Sequence, residues 1–301
     1  MVPLKIVFFS SSSFCIPIID SILNNPKLDL IGVVTQPDWE NRGKTYKNPI
    51  GKYLEKKDVK LLQPNVINKS FDEFITQFPD IDLGVVASYG QIISTQVLEH
   101  PKLGMINWHP SLLPKYRGPT PLQTSIFDGD QNGGLTWIKM DKGMDTGDII
   151  KQYKVDYGNK KFSEIISSIG ILGGETIDEV IESYIKNINS LIPQDDSLKT
   201  ITKMIQKEDA MVNDVRNKPS SLIMNHYRAY DAFPKTKIVT SKFGPIKLLN
   251  IEIWDKSKLT IDEEDEDFYY SNGKIILKTQ DGIILVRELQ LESGRIIKSS
   301  K

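Results

Sequence analysis

Two polar side chains that could take part in acyl transfer stand two residues apart, in the sequence Asn107-Trp108-His109-Pro110. The residues before them are apolar and predict a buried strand, and residues two apart in a strand point to the same side. Pro110 ends the strand, because proline has no N–H to donate to a neighbouring strand. We therefore expect Asn107 and His109 to project into one crevice at the end of this strand.

A carboxylate that could complete this set is Asp145, which lies between Gly143 and Gly147 in the sequence KGMDTGD. Glycines on both sides permit a tight loop and a close approach of the backbone to a ligand. An amide can donate to a developing oxyanion, an imidazole can transfer a proton, and a carboxylate can orient the imidazole or raise its basicity. The alternative for His109 is a histidine whose hydrogen bonds are satisfied in the core, and spacing alone gives the two hypotheses similar weight.

The elements around these residues alternate between short apolar runs and segments of helical periodicity. This alternation is typical of βαβ units, so we expect an α/β fold with a Rossmann-like, mostly parallel sheet and helices on both faces. Reactive loops gather at the carboxyl ends of the strands in such sheets. The predicted strands are residues 4–9, 28–35, 82–87, 105–108 and 135–140, with a helix at 71–78.

The second half of the chain begins with a long amphipathic stretch, 162–188, in which Gly173–Gly174 is a candidate interruption. Residues 190–202 contain proline, serines and acids with little periodicity, and they predict a linker. Short β-like runs follow at a spacing typical of a small β-barrel, similar to an OB fold. We therefore predict a catalytic domain at 1–189, a linker at 190–202 and a C-terminal β-barrel domain at 203–301.

The composition excludes several classes of protein. Acidic and basic residues nearly balance, 39 against 38, so the net charge does not indicate a nucleic-acid partner. The one cysteine, Cys15, excludes an intramolecular disulfide bond, and we interpret it as a small packing residue. No run of apolar residues approaches the ~18 that a membrane helix requires. We expect a cytoplasmic, monomeric protein without a membrane segment.

The motifs of other enzyme classes are missing from the sequence. There is no Gly-x-Ser-x-Gly of the serine hydrolases, and the three histidines have no metal-ligand spacing. The first turn carries serines at 10–13 and lacks the Gly-x-Gly-x-x-Gly of dinucleotide-binding folds. We therefore expect no metal and no nicotinamide or nucleoside-triphosphate cofactor.

A specific resemblance unites these observations. Residues 107–118 (NWHPSLLPKYRG) together with 129–150 resemble the signature of the folate-dependent formyltransferase family, with its N-x-H, SLLP and D-x-G elements in order. The segments 33–44 (VVTQPDWENRGK) and 288–294 (ELQLESG) resemble the branch of that family that formylates methionine carried on initiator tRNA. One departure is Lys235, which stands where that branch usually has a glycine after Phe-Pro.

The resemblance implies roles for the residues that match the family. Asn107, His109 and Asp145 would be catalytic. The formyl donor would be 10-formyltetrahydrofolate, which leaves as tetrahydrofolate, and initiator methionyl-tRNA would be the acceptor. The residues implied in folate binding are Ser111, Leu112, Leu113 and Pro114, with Tyr89, Gly90 and Ile92 in a Tyr-Gly-Gln-Ile loop that would contact the pterin.

Three basic residues, Arg42, Lys44 and Lys47, lie within six residues of each other in a stretch without apolar periodicity. We expect them to be exposed and mobile, and the resemblance implies that they bind the acceptor end of the tRNA. The alternative is a flexible charged surface without a specific partner.

Three alternative functions remain open at this point. The same chemistry could act on an amino-sugar nucleotide, or the formyl-folate could be hydrolysed without any acceptor. The C-terminal barrel could also be an RNA-binding module attached to an inactive catalytic domain, but the intact set of Asn107, His109 and Asp145 argues against that. The predicted barrel and the basic loop favour tRNA over a sugar, whereas no motif excludes the sugar or the hydrolase.

Overall fold

Contacts along the chain divide it into two units, each built around its own sheet. The computed structural model describes residues 2–240, 244–254, 268–271 and 273–300. The first unit consists of Met1–Gly118, Gly133–Val155 and Ile166–Ile201. The second unit consists of Pro119–Asn132, Asp156–Ile165 and Thr202–Lys301. Two segments from the middle of the chain therefore group with the C-terminal residues.

Residues 2–160 form nine strands. They are β1 (Leu4–Phe9), β2 (Leu28–Val34), β3 (Trp39–Asn41), β4 (Lys44–Tyr46), β5 (Lys60–Leu62), β6 (Leu83–Ala87), β7 (Met105–His109), β8 (Asn132–Lys139) and β9 (Ile149–Asp156). Seven of them make one sheet in the order β5-β2-β1-β6-β7-β8-β9, and β3 pairs with β4 in a separate hairpin. Strands β5, β2, β1, β6 and β7 are parallel, and β8 runs antiparallel to β7. The predicted mostly parallel sheet is confirmed.

Seven α-helices accompany the strands in the described part of the chain. They are α1 (Ile16–Asn24), α2 (Pro49–Leu54), α3 (Phe71–Gln77), α4 (Thr95–Leu98), α5 (Pro121–Phe127), α6 (Phe162–Asn187) and α7 (Ser220–Ala229). Two of them, α5 and α7, belong to the second unit.

The central residues of the parallel strands β1, β2 and β6 are mostly apolar and buried, as expected for strands whose two faces are both covered. Residues 6–9 of β1 are fully buried, and Phe9 packs on one face with Phe74 and Phe78 of the α3 region. Cys15 is also fully buried, and burial raises the pKa of its thiol to about 12. The thiol therefore stays protonated and packs as a small apolar group, as predicted.

Helix α6 is continuous, so the candidate interruption at Gly173–Gly174 is wrong. Its glycines permit close packing instead. A Cβ atom at Gly170 would lie 2.0 Å from the carbonyl oxygen of Phe14, and one at Gly174 would lie 2.6 Å from that of Pro17. These positions carry glycine because the backbone at the start of α1 touches the helix directly.

The second unit contains an antiparallel sheet that curls around its own core. Its strands are β10 (Met211–Val212), β11 (Lys237–Thr240), β12 (Gly244–Trp254), β13 (Phe268–Ser271), β14 (Lys274–Lys278), β15 (Ile283–Gln290) and β16 (Ile296–Lys298). The order is β10-β11-β12-β15-β14-β13, with β16 on β15 and only β10–β11 parallel among the described pairs. Register shifts around Asn250 bend β12, and Ile223 of α7 packs into the concave core with Ile238 and Ile284. The predicted small barrel is present as a half-barrel.

Lys235, the departure noted in the sequence, has a φ of 74°, in the left-handed region that favours glycine. Its ammonium group donates to the carbonyl oxygen of Asp231. The glycine that the resemblance led us to expect here would adopt this conformation without strain.

No helix in the described part of the chain combines the length and apolarity needed to cross a membrane. The same ranges hold no group of three or more His, Cys, Asp or Glu side chains placed to bind a metal ion.

We expect Gly170→Ala to destabilise the protein, although alanine favours a helix by about 1 kcal/mol over glycine. The added Cβ atom would lie 2.0 Å from the carbonyl oxygen of Phe14, and overpacking costs about 1–3 kcal/mol. Thermal unfolding measures the difference. The control is Glu175→Ala, at an exposed position of α6, which should leave the melting temperature unchanged. A Gly170→Ala protein that melts at or above the temperature of the unaltered protein would contradict this close packing.

Candidate active site

Strand β7 places two of the predicted residues on one side. Asn107 and His109 alternate with Trp108, which packs against Phe14 with ring centroids 5.9 Å apart. His109 is buried, with 3% of its surface exposed, whereas Asn107 is half-buried. Asn107 can therefore be reached from solvent while the imidazole is largely shielded from it.

The loop between β8 and β9 brings Asp145 to both residues. Its Oδ1 lies 3.4 Å from Asn107 Nδ2 and 3.5 Å from His109 Nδ1, and its Oδ2 accepts a 2.8 Å hydrogen bond from the amide of Gly118. Asp145 has a left-handed φ of 57°. At Gly147, a Cβ atom would lie 1.7 Å from the carbonyl oxygen of Lys139, so the loop needs glycine there. The three residues predicted to be catalytic therefore meet in the structure.

The hydrogen bonds of His109 determine where its proton sits. Its Nε2 lies 2.9 Å from the carbonyl oxygen of Tyr116, which can only accept, so Nε2 must carry hydrogen. The other nitrogen, Nδ1, faces the carboxylate of Asp145. If Nδ1 also takes up a proton, that carboxylate stabilises the resulting imidazolium. Nδ1 is therefore the ring nitrogen that is left to exchange a proton.

The loop after β7 contains the residues implied in folate binding. Ser111 is buried and its hydroxyl donates to the carbonyl oxygen of Lys115, while the amide of buried Leu113 donates to Thr136 Oγ1 at 3.1 Å. Ser111 and Leu113 therefore close and anchor the turn. Leu112 and Pro114 are half-buried and present apolar surface.

The loop after β6 leaves the sheet beside the loop after β7, because these strands are adjacent and parallel. Tyr89 is buried against Phe9, and burial raises the pKa of its hydroxyl. Its carbonyl oxygen accepts hydrogen bonds from Ser11 Oγ and Gln36 Nε2, both at 3.0 Å. Tyr89 thus anchors this loop, whereas Ile92 is 86% exposed.

Gly90, between these two residues, has a φ of 81°. A Cβ atom there would lie 2.5 Å from Gln36 Nε2. The predicted pterin loop therefore consists of buried anchors and an exposed apolar tip.

The predicted basic loop is the β3–β4 hairpin. Arg42 and Gly43 form its turn with φ values of 51° and 73°, the geometry of a tight two-residue hairpin turn. Trp39 and Tyr46 stack across the two strands with ring centroids 5.8 Å apart and planes 11° apart. The sequence predicted an exposed, mobile stretch. The residues are exposed, but they form a paired ribbon, because this cross-strand stack and the turn favour pairing.

The three basic residues of this hairpin have different surroundings. Arg42 and Lys44 are exposed, and Lys44 Nζ lies 5.5 Å from the centre of the Tyr46 ring. Lys47 instead pairs with Glu55, which raises the pKa of the lysine ammonium. Because the hairpin follows β2, it leaves the sheet at the same edge as the loops after β6 and β7.

Sequence reasoning missed several groups that support the site. The carbonyl oxygen of Tyr116 and the amide of Gly118 are backbone atoms, for which side-chain patterns provide no signal. Arg117 lies inside the motif that carries the family resemblance, but nothing in its spacing indicates what it binds. Gln194 donates from Nε2 to the carbonyl oxygens of Asp145 and Gly147, yet it lies in the segment predicted as a linker.

Comparisons with known proteins identify the family to which the chain belongs. The family described as "Formyl transferase" matches residues 4–166, and "Formyl transferase, C-terminal domain" matches 204–301. The methionyl-tRNA formyltransferase of Staphylococcus aureus is 32% identical over 292 residues, covering 95% of this chain and 91% of its own length. That of Microcystis aeruginosa is 30% identical over 315 residues, covering 98% and 94%.

Two solved structures share the fold at lower identity. HypX from Aquifex aeolicus in complex with tetrahydrofolic acid is 15% identical, with a TM-score of 0.68, and the match covers 98% of this chain and 46% of that one. An N-formyltransferase from Helicobacter canadensis, in complex with folinic acid and dTDP-3-aminofucose, is 18% identical, with a TM-score of 0.64 and coverage of 95% and 99%. The two sequence profiles and the nearly full-length relatives leave one conclusion: this chain belongs to the methionyl-tRNA formyltransferase family.

Proposed function

We propose that this enzyme transfers the formyl group of 10-formyltetrahydrofolate to the amino group of methionine on initiator tRNA, for translation initiation. The observation that carries the proposal is the meeting of Asn107, His109 and Asp145 within 3.5 Å at the end of β7. It supports formyl transfer because it combines an amide donor, a proton carrier and a carboxylate in one place. The nearly full-length relatives support tRNA as the acceptor.

Asn107, His109 and Asp145 each have a different role in the transfer. The neutral amine attacks the formyl carbon, so a C–N bond forms, the bond to the folate nitrogen breaks, and one proton passes from the amine to that nitrogen. Asn107 donates from Nδ2 to the oxygen that gains charge, a contact worth about 10²–10³ in turnover in comparable sites. His109 delivers or withdraws the proton at Nδ1 and adds positive charge near the same oxygen. Asp145 holds the imidazole and relays protons through water.

The folate site in this proposal lies between the loops after β6 and β7. When bound, 10-formyltetrahydrofolate supplies the formyl group. Leu112 and Pro114 offer half-exposed apolar surface, and Ile92 is 86% exposed. Such surface suits a flat heteroaromatic ring, because a ligand that covers it removes apolar area from water. Ser111, Leu113, Tyr89 and Gly90 contribute by fixing the backbone of the two loops.

The acceptor end of the tRNA contacts the β3–β4 hairpin in this proposal. Arg42 and Lys44 supply positive charge for phosphates, and the exposed rings of Trp39 and Tyr46 offer faces on which bases can stack. Lys47 contributes less, because Glu55 already pairs with its ammonium.

The second unit would bind the body of the tRNA. The proposed domains are catalytic at 1–189, linker at 190–202 and C-terminal at 203–301. We further propose that the enzyme acts as a monomer in the cytoplasm, where charged initiator tRNA is found. A formyl-folate hydrolase or an amino-sugar formyltransferase would use the same three residues, so the acceptor must be tested directly.

We expect the purified protein to form formyl-methionyl-tRNA from 10-formyltetrahydrofolate and charged initiator tRNA. Parallel reactions with dTDP-3-aminofucose and with water alone should consume donor at a small fraction of that rate. The measurement is the rate of tetrahydrofolate formation together with identification of the formylated product. Faster turnover with the amino sugar would identify the protein as an amino-sugar formyltransferase, and faster turnover with water would identify it as a formyl-folate hydrolase.

Replacing His109 with alanine should lower turnover by about 10²–10⁴, because the variant loses the group that moves the proton. The matched control is His100→Ala, because the His100 side chain donates from Nε2 to the carbonyl oxygen of Phe78 and packs against Phe74, outside the proposed active site. Turnover is measured at saturating substrates, and circular dichroism checks that both variants fold. Near-normal turnover of a folded His109→Ala protein would remove His109 from the mechanism.

The double variant Arg42→Ala/Lys44→Ala should raise the KM for charged tRNA by at least roughly tenfold at low salt, while the KM for the folate hardly changes. Each lost phosphate contact should also reduce the slope of log affinity against log salt by up to about one. Lys47→Ala serves as the comparison and should have a smaller effect. Identical slopes and KM values for the double variant and the unaltered enzyme would exclude the hairpin from tRNA binding.

A further inference from the structure

We propose that residues 194–200 form a brace that fixes the catalytic geometry, with Gln194 and Thr200 as positioning residues for the transfer. This proposal rests on the proposed function. Gln194 holds the loop that carries Asp145, and Thr200 holds the residue whose carbonyl oxygen binds His109. The segment predicted as a linker would therefore have a direct part in the reaction.

The amide of Gln194 bridges a buried cation and the catalytic loop. Its Oε1 accepts from Arg117 Nε and Nη2 at 3.0 and 2.8 Å, and its Nε2 donates to the carbonyl oxygens of Asp145 and Gly147 at 2.8 and 2.7 Å. A guanidinium can only donate and a carbonyl can only accept, so the orientation of this amide is unambiguous. All four of these contacts depend on one side chain.

Thr200 supports the other half of the site. Its Oγ1 accepts from the amide of Tyr116 at 2.7 Å, and its carbonyl oxygen accepts from the amide of Arg117 at 2.9 Å. The carbonyl oxygen of Tyr116 in turn binds Nε2 of His109. The brace thus reaches the imidazole through one intervening residue.

Both supported residues have backbones that need holding. Asp145 has a φ of 57° and Tyr116 a φ of 62°, and a residue with a Cβ atom in this region costs about 1–2 kcal/mol relative to ordinary conformations. Such residues stay in place only when their surroundings hold them there. The contacts from Gln194 and Thr200 fall on these two residues or on residues within two positions of them.

Arg117 holds the brace against the rest of the first unit. Its guanidinium is 2% exposed and also binds Asp196 Oδ1 at 2.8 Å, which holds the pKa of that carboxyl below its usual value. A buried charge must be paired, so releasing the segment would leave the guanidinium without these acceptors. Attachment of the brace is therefore favoured by the arginine itself.

The test compares kcat, KM and amide hydrogen exchange in four variants. Gln194→Ala removes the bridge, and Gln194→Glu keeps the acceptor for Arg117 but replaces the donor with a carboxylate that faces two carbonyl oxygens. Thr200→Val removes the acceptor for Tyr116. Ser197→Ala is the control, since Ser197 is exposed and its side chain bonds only within the segment, to Asp195.

Small displacements of catalytic groups cost up to about 10² in rate, so kcat should fall about 10- to 100-fold in the three brace variants, with KM for both substrates nearly unchanged. Ser197→Ala should behave as the unaltered enzyme. Gln194→Glu separates positioning from stability, because it retains the pairing with Arg117 and should fold even if Gln194→Ala does not.

Hydrogen exchange at the amide of Gly118, which donates to Asp145 Oδ2, gives a readout that needs no activity. Exchange should be faster in both Gln194 variants. Three results would overturn the brace. The first is a kcat within about twofold of normal in both Gln194 variants, and the second is a loss of kcat in Ser197→Ala as large as theirs. The third is an unchanged rate of exchange at the amide of Gly118. If the unaltered enzyme formylates another acceptor or only hydrolyses the donor, the proposed function fails, whereas the exchange experiment still decides the role of Gln194.

Discussion

The carboxylate of Asp145 joins three parts of the chain, and the proposed catalytic arrangement depends on that one group. Its two oxygens contact the side chains of Asn107 and His109 and the amide of Gly118. Without it, the side chains of Asn107 and His109 would lose their contact with the loop between β8 and β9, which would still be joined to β7 through the hydrogen bond from the amide of Met140 to the carbonyl oxygen of Met105. The left-handed backbone of Asp145 means that this contact exists only because the surrounding structure holds the residue in place.

The contact of Asp145 with Asn107 and His109 depends on the orientation of β7, which the packing around the sheet fixes. Trp108 packs against Phe14 on the side opposite the catalytic residues, and a Cβ atom at Gly173 would lie 2.7 Å from its indole nitrogen. Strand β7 therefore cannot rotate without disturbing the packing of α6. Since Asn107 and His109 flank Trp108, the close packing of a glycine-containing helix on one face determines the direction of the polar side chains on the other.

At the edge of the sheet where the loops after β2, β6 and β7 leave, buried anchoring groups lie beside exposed side chains. The proposed function assigns the exposed side chains to two different substrates. Buried groups such as Tyr89 and Ser111 fix the backbone of the loops, while Ile92 and the hairpin residues Arg42 and Lys44 remain exposed. Exposed charge attracts a polyanion over a distance set by ionic strength, whereas exposed apolar surface requires contact. In the proposed function, the charged acceptor and the flat donor would therefore be recognised by different residues at the same edge.

The sequence alone determined the elements whose pattern is local: the apolar runs of the parallel strands, the alternation in β7, and the bounds of β1. It also indicated Asn107, His109 and Asp145, because residue type and the family's motif are visible without a fold. Only the tertiary structure decided that α6 runs unbroken, that Lys47 is paired with Glu55, and that Gln194 holds the catalytic loop. Alternation and periodicity follow from the geometry of a single strand or helix. The contact of Gln194 with a loop 49 residues earlier, or of Gly170 with Phe14, exists only once the whole unit is packed.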